Sequence, residues 1–262
     1  MRPYAFACLL ALASFTLVAG ACNFKLGSDT EGEMGNLRFS YSGSGCFFGC
    51  GLDKKVLQGG KVTVDVKGDT QGGLTAVIDD GSPAAVATQT ETCTCNSGSS
   101  SSTHSRIVQG GVSCESGESR TCSMNIEVAG TSEGFSKLKV LDAKGAVIDQ
   151  VDITVRSAAR LDLAVTANDV AVQPRDGVYD VKVRASGKVA VKAFDGDGDE
   201  LYWSRDGITF TFDGQRILEE SGGAFFRGSS DSFRPLAAGD ATIDVSAPGG
   251  SAHSTARFHV TP

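Results

Sequence analysis

Positive charge is scarce in this 262-residue chain, where 24 Lys+Arg stand against 31 Asp+Glu for a net charge of −7. One of those cations, Arg2, lies in the N-terminal leader, so the chain beyond it carries 23 against 31 and a net charge of −8. Such a balance argues against binding a phosphate backbone and against polybasic contact with a membrane, and nucleic acid is not an expected partner. Histidine is rarer still, with only His104, His253 and His259 available as imidazole bases. Three methionines against 33 glycines point away from long helices and toward many turns. What remains is enough chain, 40% of it hydrophobic, to build real cores in one large β domain or two ordinary ones.

The leader reads as an export signal. Met1-Arg2-Pro3-Tyr4 is a short positive start, Ala5 to Val18 an apolar core, and Ala19-Gly20-Ala21 the small residues that a signal peptidase accepts. The stretch from Ala5 to Ala21 is at the bottom of the length range for crossing a bilayer, and its Ala, Gly and Ser dilute its hydrophobicity. With Cys22 next, the junction resembles a bacterial lipobox, although the place three before the cysteine, usually Leu, is Ala19. That resemblance implies diacylglycerol on the Cys22 thiol, cleavage after Ala21, and stable anchoring by several acyl chains. Asn23 stands where Asp resembles an inner-membrane retention signal, so the outer membrane or cell surface is the expected location. The alternative is ordinary cleavage, with Cys22 as a disulfide partner.

Cysteine parity supports lipidation. Cys8 lies in the leader, and the body holds Cys46, Cys50, Cys93, Cys95, Cys114 and Cys122. With Cys22 acylated, six remain for pairing; otherwise an odd seven are left in an oxidising compartment. Cys46 and Cys50 are near enough to close a small loop, leaving Cys93 and Cys95 to reach Cys114 and Cys122, one arrangement among several on paper. A metal knot is the rival reading, but Cys93-Thr94-Cys95 lacks the usual spacing of structural zinc ligands.

Residues 22–35 are polar and Gly-rich, and read as a lipidated tether. Beyond it, Gly60-Lys61-Val62-Thr63-Val64-Asp65-Val66 alternates strictly, as a half-buried strand does. Further strands are expected at Leu74 to Ile78 and Ser123 to Val128, then a strand pair from Lys137 to Ile148, with Asp152 to Val155 closing the unit. The pattern then restarts. Gly187-Lys188-Val189-Ala190-Val191 repeats Gly60 to Val64 at an offset of 127, whereas Ile243-Asp244-Val245 and Phe258-His259-Val260 answer to Leu138-Lys139-Val140 and Ile153-Thr154-Val155 at an offset of 105. Two β units with equivalent ends explain this, residues 36–157 and 158–262, the first carrying 22 extra residues in its middle. That insert, with four cysteines and the Asn96 to Ser102 run, reads as a solvated loop held by disulfides.

The second unit carries a family likeness. Val189 to Ser204, with Asp195-Gly196-Asp197-Gly198-Asp199-Glu200 leading into Tyr202-Trp203-Ser204, followed by Gly239-Asp240-Ala241-Thr242-Ile243-Asp244-Val245, resembles bacterial immunoglobulin-like domains of the invasin and intimin type, group 2-like. The likeness covers residues 158–262 well, and the first unit only at its strand ends. It implies an all-β chain of two tandem antiparallel β-sandwiches, consistent with the short strands and turn signals.

Four stretches carry residues of the types that chemistry needs. Asp195, Asp197, Asp199 and Glu200 have the alternate spacing with which a loop wraps oxygens around calcium, but as an EF-hand the loop fails at its sixth place (Glu200) and twelfth (Asp206), so a tight turn between Phe194 and Leu201 is the stronger reading. Gly130-Thr131-Ser132-Glu133-Gly134 matches the nucleophile elbow of serine hydrolases, yet a strand-like segment follows where a helix is required, and a hairpin turn is expected instead. His259, alternating with Phe258 and Val260, is a surface strand residue. Tyr202 and Trp203, with Phe210 and Phe212, offer a carbohydrate-stacking face only if exposed; Ile208, Phe210 and Phe212 read as core, and Tyr202 points opposite Trp203.

No catalytic residues and no cofactor are assigned. The sequence points to an exported, lipid-anchored, non-enzymatic adhesion, interaction or spacer module of the cell envelope, touching an envelope or surface protein or glycan. A carbohydrate-binding lipoprotein is the alternative, and a serine hydrolase ranks below both.

Overall fold

The computed structural model describes residues 29–43, 46–68, 70, 72–99, 102–109, 114, 118–221 and 229–262. The leader, its junction and Cys22 lie outside these residues. Among the described residues no helix is long and apolar enough to cross a membrane.

The first unit contains β1 (Thr30–Glu31), β2 (Arg38–Gly43), β3 (Cys46–Cys50), β4 (Val56–Leu57), β5 (Gly60–Gly68), β6 (Thr75–Val77), β7 (Ala84–Ser99), β8 (Ser102–Gln109), β9 (Glu118–Gly130), β10 (Gly134–Leu141) and β11 (Val147–Arg156). One sheet runs β1-β2-β5-β9-β7-β8, with β3 also on β2, and the facing sheet runs β4-β11-β10-β6. The second unit contains β12 (Arg160–Ala167), β13 (Val170–Val172), β14 (Val178–Lys182), β15 (Gly187–Phe194), β16 (Arg205–Asp206), β17 (Thr209–Asp213), β18 (Leu218–Glu220), β19 (Ser230–Pro235), β20 (Gly239–Ser246) and β21 (His253–Thr261). Its sheets are β13-β12-β15-β19-β18 and β14-β21-β20-β17.

The two units superpose strand for strand in pairing order. β2-β5-β9-β7 answers to β12-β15-β19-β18, and β4-β11-β10-β6 to β14-β21-β20-β17. In each, all these neighbours are antiparallel except the short first strand of the second sheet, which runs parallel to the last strand: β4 along β11, and β14 along β21. The repeated Gly-Lys-Val strings are the central strands β5 and β15, and the strings repeated near the unit ends are β10 with β20 and β11 with β21.

Alternation explains both cores. Along β5 the side chains of Val62, Val64 and Val66 are buried and meet Phe39, Met124, Ile126, Leu138, Val140 and Ile153 in one cluster. In the second unit Val189, Val191, Phe233, Ile243, Val245, Phe258 and Val260 do the same. Each fully buried side chain of this size contributes about 1.5–3 kcal/mol through removal from water. Gly187 is needed for this packing, since a Cβ there would lie 2.2 Å from the Phe233 ring.

Several local expectations are corrected. Asp152 to Val155 is not a separate strand but the second half of β11, which runs unbroken from Val147. The tether drawn over residues 22–35 is already a strand at Thr30–Glu31, paired with Phe39 and Arg38. The turn at 131–133 is not a hairpin, because β9 and β10 belong to different sheets and the turn carries the chain across the sandwich. The insert is not a loop: β7 and β8 pair in register from Thr92↔Gln109 to Ser99↔Ser102, while β7 and β9 stay paired as far as Ser97↔Glu118. Thr88, Thr90, Thr92 and Thr94 supply β-branched residues at every second place, which suits a strand better than their polarity implies.

Candidate functional site

The carboxylate-rich turn after β15 is the best-defined polar cluster. The Asp195 amide donates to the Asp199 carbonyl at 3.0 Å and the Gly198 amide to the Asp195 carbonyl at 3.1 Å. Gly198 sits at φ +88°, a conformation that favours glycine. The Asp195 carboxylate, buried at 4% exposure, accepts from the amides of Asp197 and Asp199 at 3.0 and 2.9 Å. Between the carboxylates stands an ammonium group from the first unit: Lys55 Nζ is 2.6 Å from Asp195, 3.4 Å from Asp197 and 2.7 Å from Asp199. Glu200 turns away to Lys192 at 3.3 Å. Burial alone pushes the Asp195 carboxyl up, but the Lys55 hydrogen bond and the two amides hold it below the ordinary aspartate range. The same hydrogen bonds, from Asp195 and then Asp199, raise Lys55 above its ordinary value.

Beyond this turn the chain forms no strand in the sheets of its own unit before β17. The Leu201 amide donates to Ala193 at 2.8 Å, and the backbone then crosses into the first unit. The Tyr202 amide donates to the Lys55 carbonyl at 2.8 Å, the Leu57 amide to the Tyr202 carbonyl at 3.0 Å, and the Ser204 amide to the Lys61 carbonyl at 2.8 Å. Next, β16 pairs antiparallel with β5 through Arg205↔Lys61 and Asp206↔Gly60, and Lys61 Nζ lies 2.9 Å from Asp206. Backbone approach this close needs missing side chains. A Cβ on Gly60 would lie 2.9 Å from the Trp203 Cβ, and one on Gly207, at φ +82°, would lie 2.9 Å from the Gly60 Cα.

Tyr202 and Trp203 do alternate, but neither is exposed. Tyr202 buries its ring in the first core, 5.2 Å from the Tyr41 ring, and its hydroxyl donates to the Ser42 carbonyl at 3.2 Å. Desolvation pushes that phenol up to about 12. Trp203 is buried in the second core, as is Leu57 of the first unit. The aromatic pair therefore supplies no stacking face for a sugar.

The second polar feature is the base of the β7-β8-β9 arm. Cys93 and Cys122, directly opposite in register, are joined in a disulfide with their Cα atoms 4.0 Å apart, and a second disulfide joins Cys95 to Cys114. The sulfurs near Glu91 are thus bonded to each other rather than held as thiolates for a metal. Arg120 donates to Cys93 Sγ at 3.2 Å. Glu91 and Gln89 accept from the amides of Gly73, Leu74 and Ala76, which ties β7 to the segment leading into β6. Cys50 is also disulfide-bonded, while the Cys46 side chain lies outside the described residues.

Ser132 stands in the inter-sheet turn with its amide on the Pro83 carbonyl at 3.1 Å, and strand β10 follows, so the helix of a nucleophile elbow is missing. His259 is exposed and its Nδ1 lies 2.7 Å from Asp240, a hydrogen bond that raises the imidazole above its ordinary value.

One polar residue that the sequence pattern does not flag holds a cluster of amides. Asp149 is fully buried and accepts from the amides of Met34 (2.9 Å), Asn36 (2.8 Å), Leu37 (2.7 Å) and Gln150 (2.8 Å), which pins the segment between β1 and β2. Its signal was present: Asp149 occupies the inward phase of β11, in step with Val151, Ile153 and Val155. Burial pushes this carboxyl up, but the amides outweigh it and hold the group below the ordinary range.

Two facing sheets, a Greek-key order, and a short strand opening the second sheet parallel to the last strand now stand repeated in both halves. Both units are immunoglobulin-like sandwiches. No family model and no curated protein matches the chain. Solved structures similar to it include domains 5-6 of the S-layer protein SbsC, 16% identical over 80% of this chain and 94% of that one, with a TM-score of 0.26. The Escherichia coli adhesin FdeC is 12% identical over 90% of this chain and 66% of that one, at 0.30. Invasin, a bacterial integrin-binding protein, is 12% identical over 85% of this chain and 40% of that one, at 0.28. At these values the likeness carries no partner or activity across, and the immunoglobulin-like assignment stands on the strand pairing.

Proposed function

We propose that the protein is an exported lipoprotein, anchored through Cys22, whose tandem sandwiches act as a non-enzymatic interaction or spacer module of the cell envelope. The observation that carries this reading is the exchange at the domain junction. A spacer transmits position only if its domains do not hinge, and here residues 202–206 enter the sheets of the first unit while Leu57 enters the second core. A freely jointed pair would instead show a small polar interface. The leader and the cysteine parity support export and anchoring, and the disulfide-braced arm supports an oxidising location outside the cytoplasm.

The test is cross-linking in intact cells followed by mass spectrometry. Reproducible cross-links from the sandwiches to an envelope or surface protein support the reading. Recovery of the chain in the soluble cytoplasmic fraction, without lipid and without envelope cross-links, overturns it.

A further inference from the structure

The β7-β8-β9 arm and the chain that leads back from β1 to Cys22 belong to opposite edges of one sheet, ordered β1-β2-β5-β9-β7-β8. Five strand spacings, about 24 Å, separate β1 from β8. The arm points away from the second unit. One end of β5, at Gly60 and Lys61, pairs with β16, whereas its other end, Gly68, pairs with Cys122 in the row of Cys93. Past that row β7 runs on from Cys93 to Ser99, about 20 Å, with β8 beside it as far as the Ser99↔Ser102 pair. Two bridges stiffen this extension, Cys93–Cys122 at its base and Cys95–Cys114 farther out.

Cys22 cannot outreach the arm. Thr30, Phe39, Val66, Met124 and Glu91 stand in one cross-strand row. From that row Ser99 lies about 27 Å away along β7. Cys22, eight peptide steps before Thr30, lies at most about 28 Å from the same row along a fully extended chain. Because β1 itself runs toward the arm end, the chain enters it from the other direction and uses part of that reach in turning back. A stance with the second unit toward the lipid is sterically blocked, since Val66 to Gly60 is about 20 Å and β15 adds about 25 Å, more than the chain from Cys22 spans. Upright and flat stances remain. Within residues 92–121 Arg106 and Arg120 offset Glu115 and Glu118, so the net charge of −8 beyond the leader lies wholly on the rest of the chain. Residues 92–114 are also the longest run beyond residue 28 without a carboxylate. An anionic headgroup layer repels the body in the flat stance and admits the neutral arm in the upright one.

We propose that the arm is a strut whose tip rests on the headgroup layer of the membrane that holds Cys22, so that anchor and arm give two footholds at opposite edges of the sheet and set the tandem sandwiches upright. The inference deepens the lipid-anchored spacer reading and rests on it. The test uses the lipoprotein purified from membranes and returned to vesicles of phosphatidylethanolamine and phosphatidylglycerol. A photo-reactive benzophenone amino acid stands in place of Ser97 or Thr103 near the arm tip. The controls carry it in place of Asp80, in the turn before β7, or Asp169, in the turn between β12 and β13 at the far end of the second unit; both are exposed. After illumination, lipid adducts are read by mass. Adducts are expected from Ser97 and Thr103 and not from Asp80 or Asp169. Equal yields at all four positions, adducts at the controls alone, or no adducts at all overturn the proposal. Should the altered arms fail to fold, neutron reflectometry of the unaltered lipoprotein on a supported bilayer decides. An upright stance gives a protein layer about 75 Å thick, whereas a flat one gives about 25 Å and overturns the strut. The intact mass separates the two readings. A purified chain without lipid ends anchor and strut together, while a lipidated chain with a silent arm ends the strut alone and leaves the anchored module standing.

Discussion

Leu57 and Tyr202 are exchanged across the domain boundary: the Leu57 amide donates to the Tyr202 carbonyl at 3.0 Å, and each side chain is buried in the core of the opposite sandwich. Neither core is complete without the other unit. Leu57→Ala is therefore expected to destabilise the second sandwich by about 2–5 kcal/mol, and Tyr202→Ala the first by about 3–5 kcal/mol. Because the exchange couples the units, the unaltered protein should unfold in one calorimetric transition, and each substitution should lower or split it. Two resolved transitions before any substitution would show that the units are independent.

Acid should weaken the protein through Asp149. Its folded pKa is depressed, so the stabilisation it brings is complete above the unfolded value and is lost as pH falls through the folded one. The thermal midpoint is expected to start dropping below about pH 5 and to keep falling as the pH passes below the ordinary aspartate range. Asp149→Ala leaves the amides of Met34, Asn36 and Leu37 without their acceptor, at about 1–3 kcal/mol, and flattens the acid slope. An unchanged slope in the variant would remove Asp149 from the acid response.

What was legible in the sequence is what depends on neighbours in the chain. The alternation of Val62, Val64 and Val66 and its repeat at Val189 and Val191 mark central strands with one inward face, and the structure places both strings at equivalent positions. The exchange at Leu57 and Tyr202 was hidden, because a two-residue strand and an aromatic pair after a turn look alike whichever core receives them. The arm reads as a loop because its threonines are polar, although their spacing is that of a strand. Asp149 is silent in the sequence because an aspartate in an otherwise apolar phase has meaning only once its amide donors are known.

Calcium meets an occupied turn. Lys55 Nζ lies within hydrogen-bonding range of Asp195 and Asp199 and is attracted to Asp197, so a metal must displace an ammonium already held there. Millimolar Ca²⁺ is expected to leave the thermal midpoint of the unaltered protein unmoved. Lys55→Gln removes the competing charge, and a calcium-dependent rise in that variant alone would show the carboxylates acting as ligands once freed. A rise already present in the unaltered protein would mean that the metal wins against the lysine.

The Cys93–Cys122 bridge closes a separation of 29 residues at the point where the arm leaves the sandwich. The double substitution Cys93→Ala with Cys122→Ala should destabilise the first unit by about 2–4 kcal/mol. Hydrogen exchange should rise first in β8 and in the ends of β7 and β9 beyond Cys93 and Cys122, whereas Met124, Ile126 and Val128 keep the rest of β9 in the core. Peptide mapping without reduction should recover Cys93 linked to Cys122 and Cys95 linked to Cys114. An unaltered midpoint after full reduction would mean that the strands hold the arm unaided.

The same map bears on Cys22. Two bridges use four of the six body cysteines, and Cys50 is bonded as well, so a Cys46–Cys50 bridge would leave no body thiol for Cys22 to pair with. An exported chain with one leftover cysteine at a signal-peptidase junction has that thiol free for acylation. The expected intact mass of protein from membranes begins at Cys22 and carries acyl chains, and Cys22→Ser should release the protein from the membrane fraction. A mature mass without lipid, together with Cys46 and Cys50 bonded to each other, would leave Cys22 as a lone thiol and end the anchoring proposal, while the two sandwiches and their exchanged residues would stand unchanged.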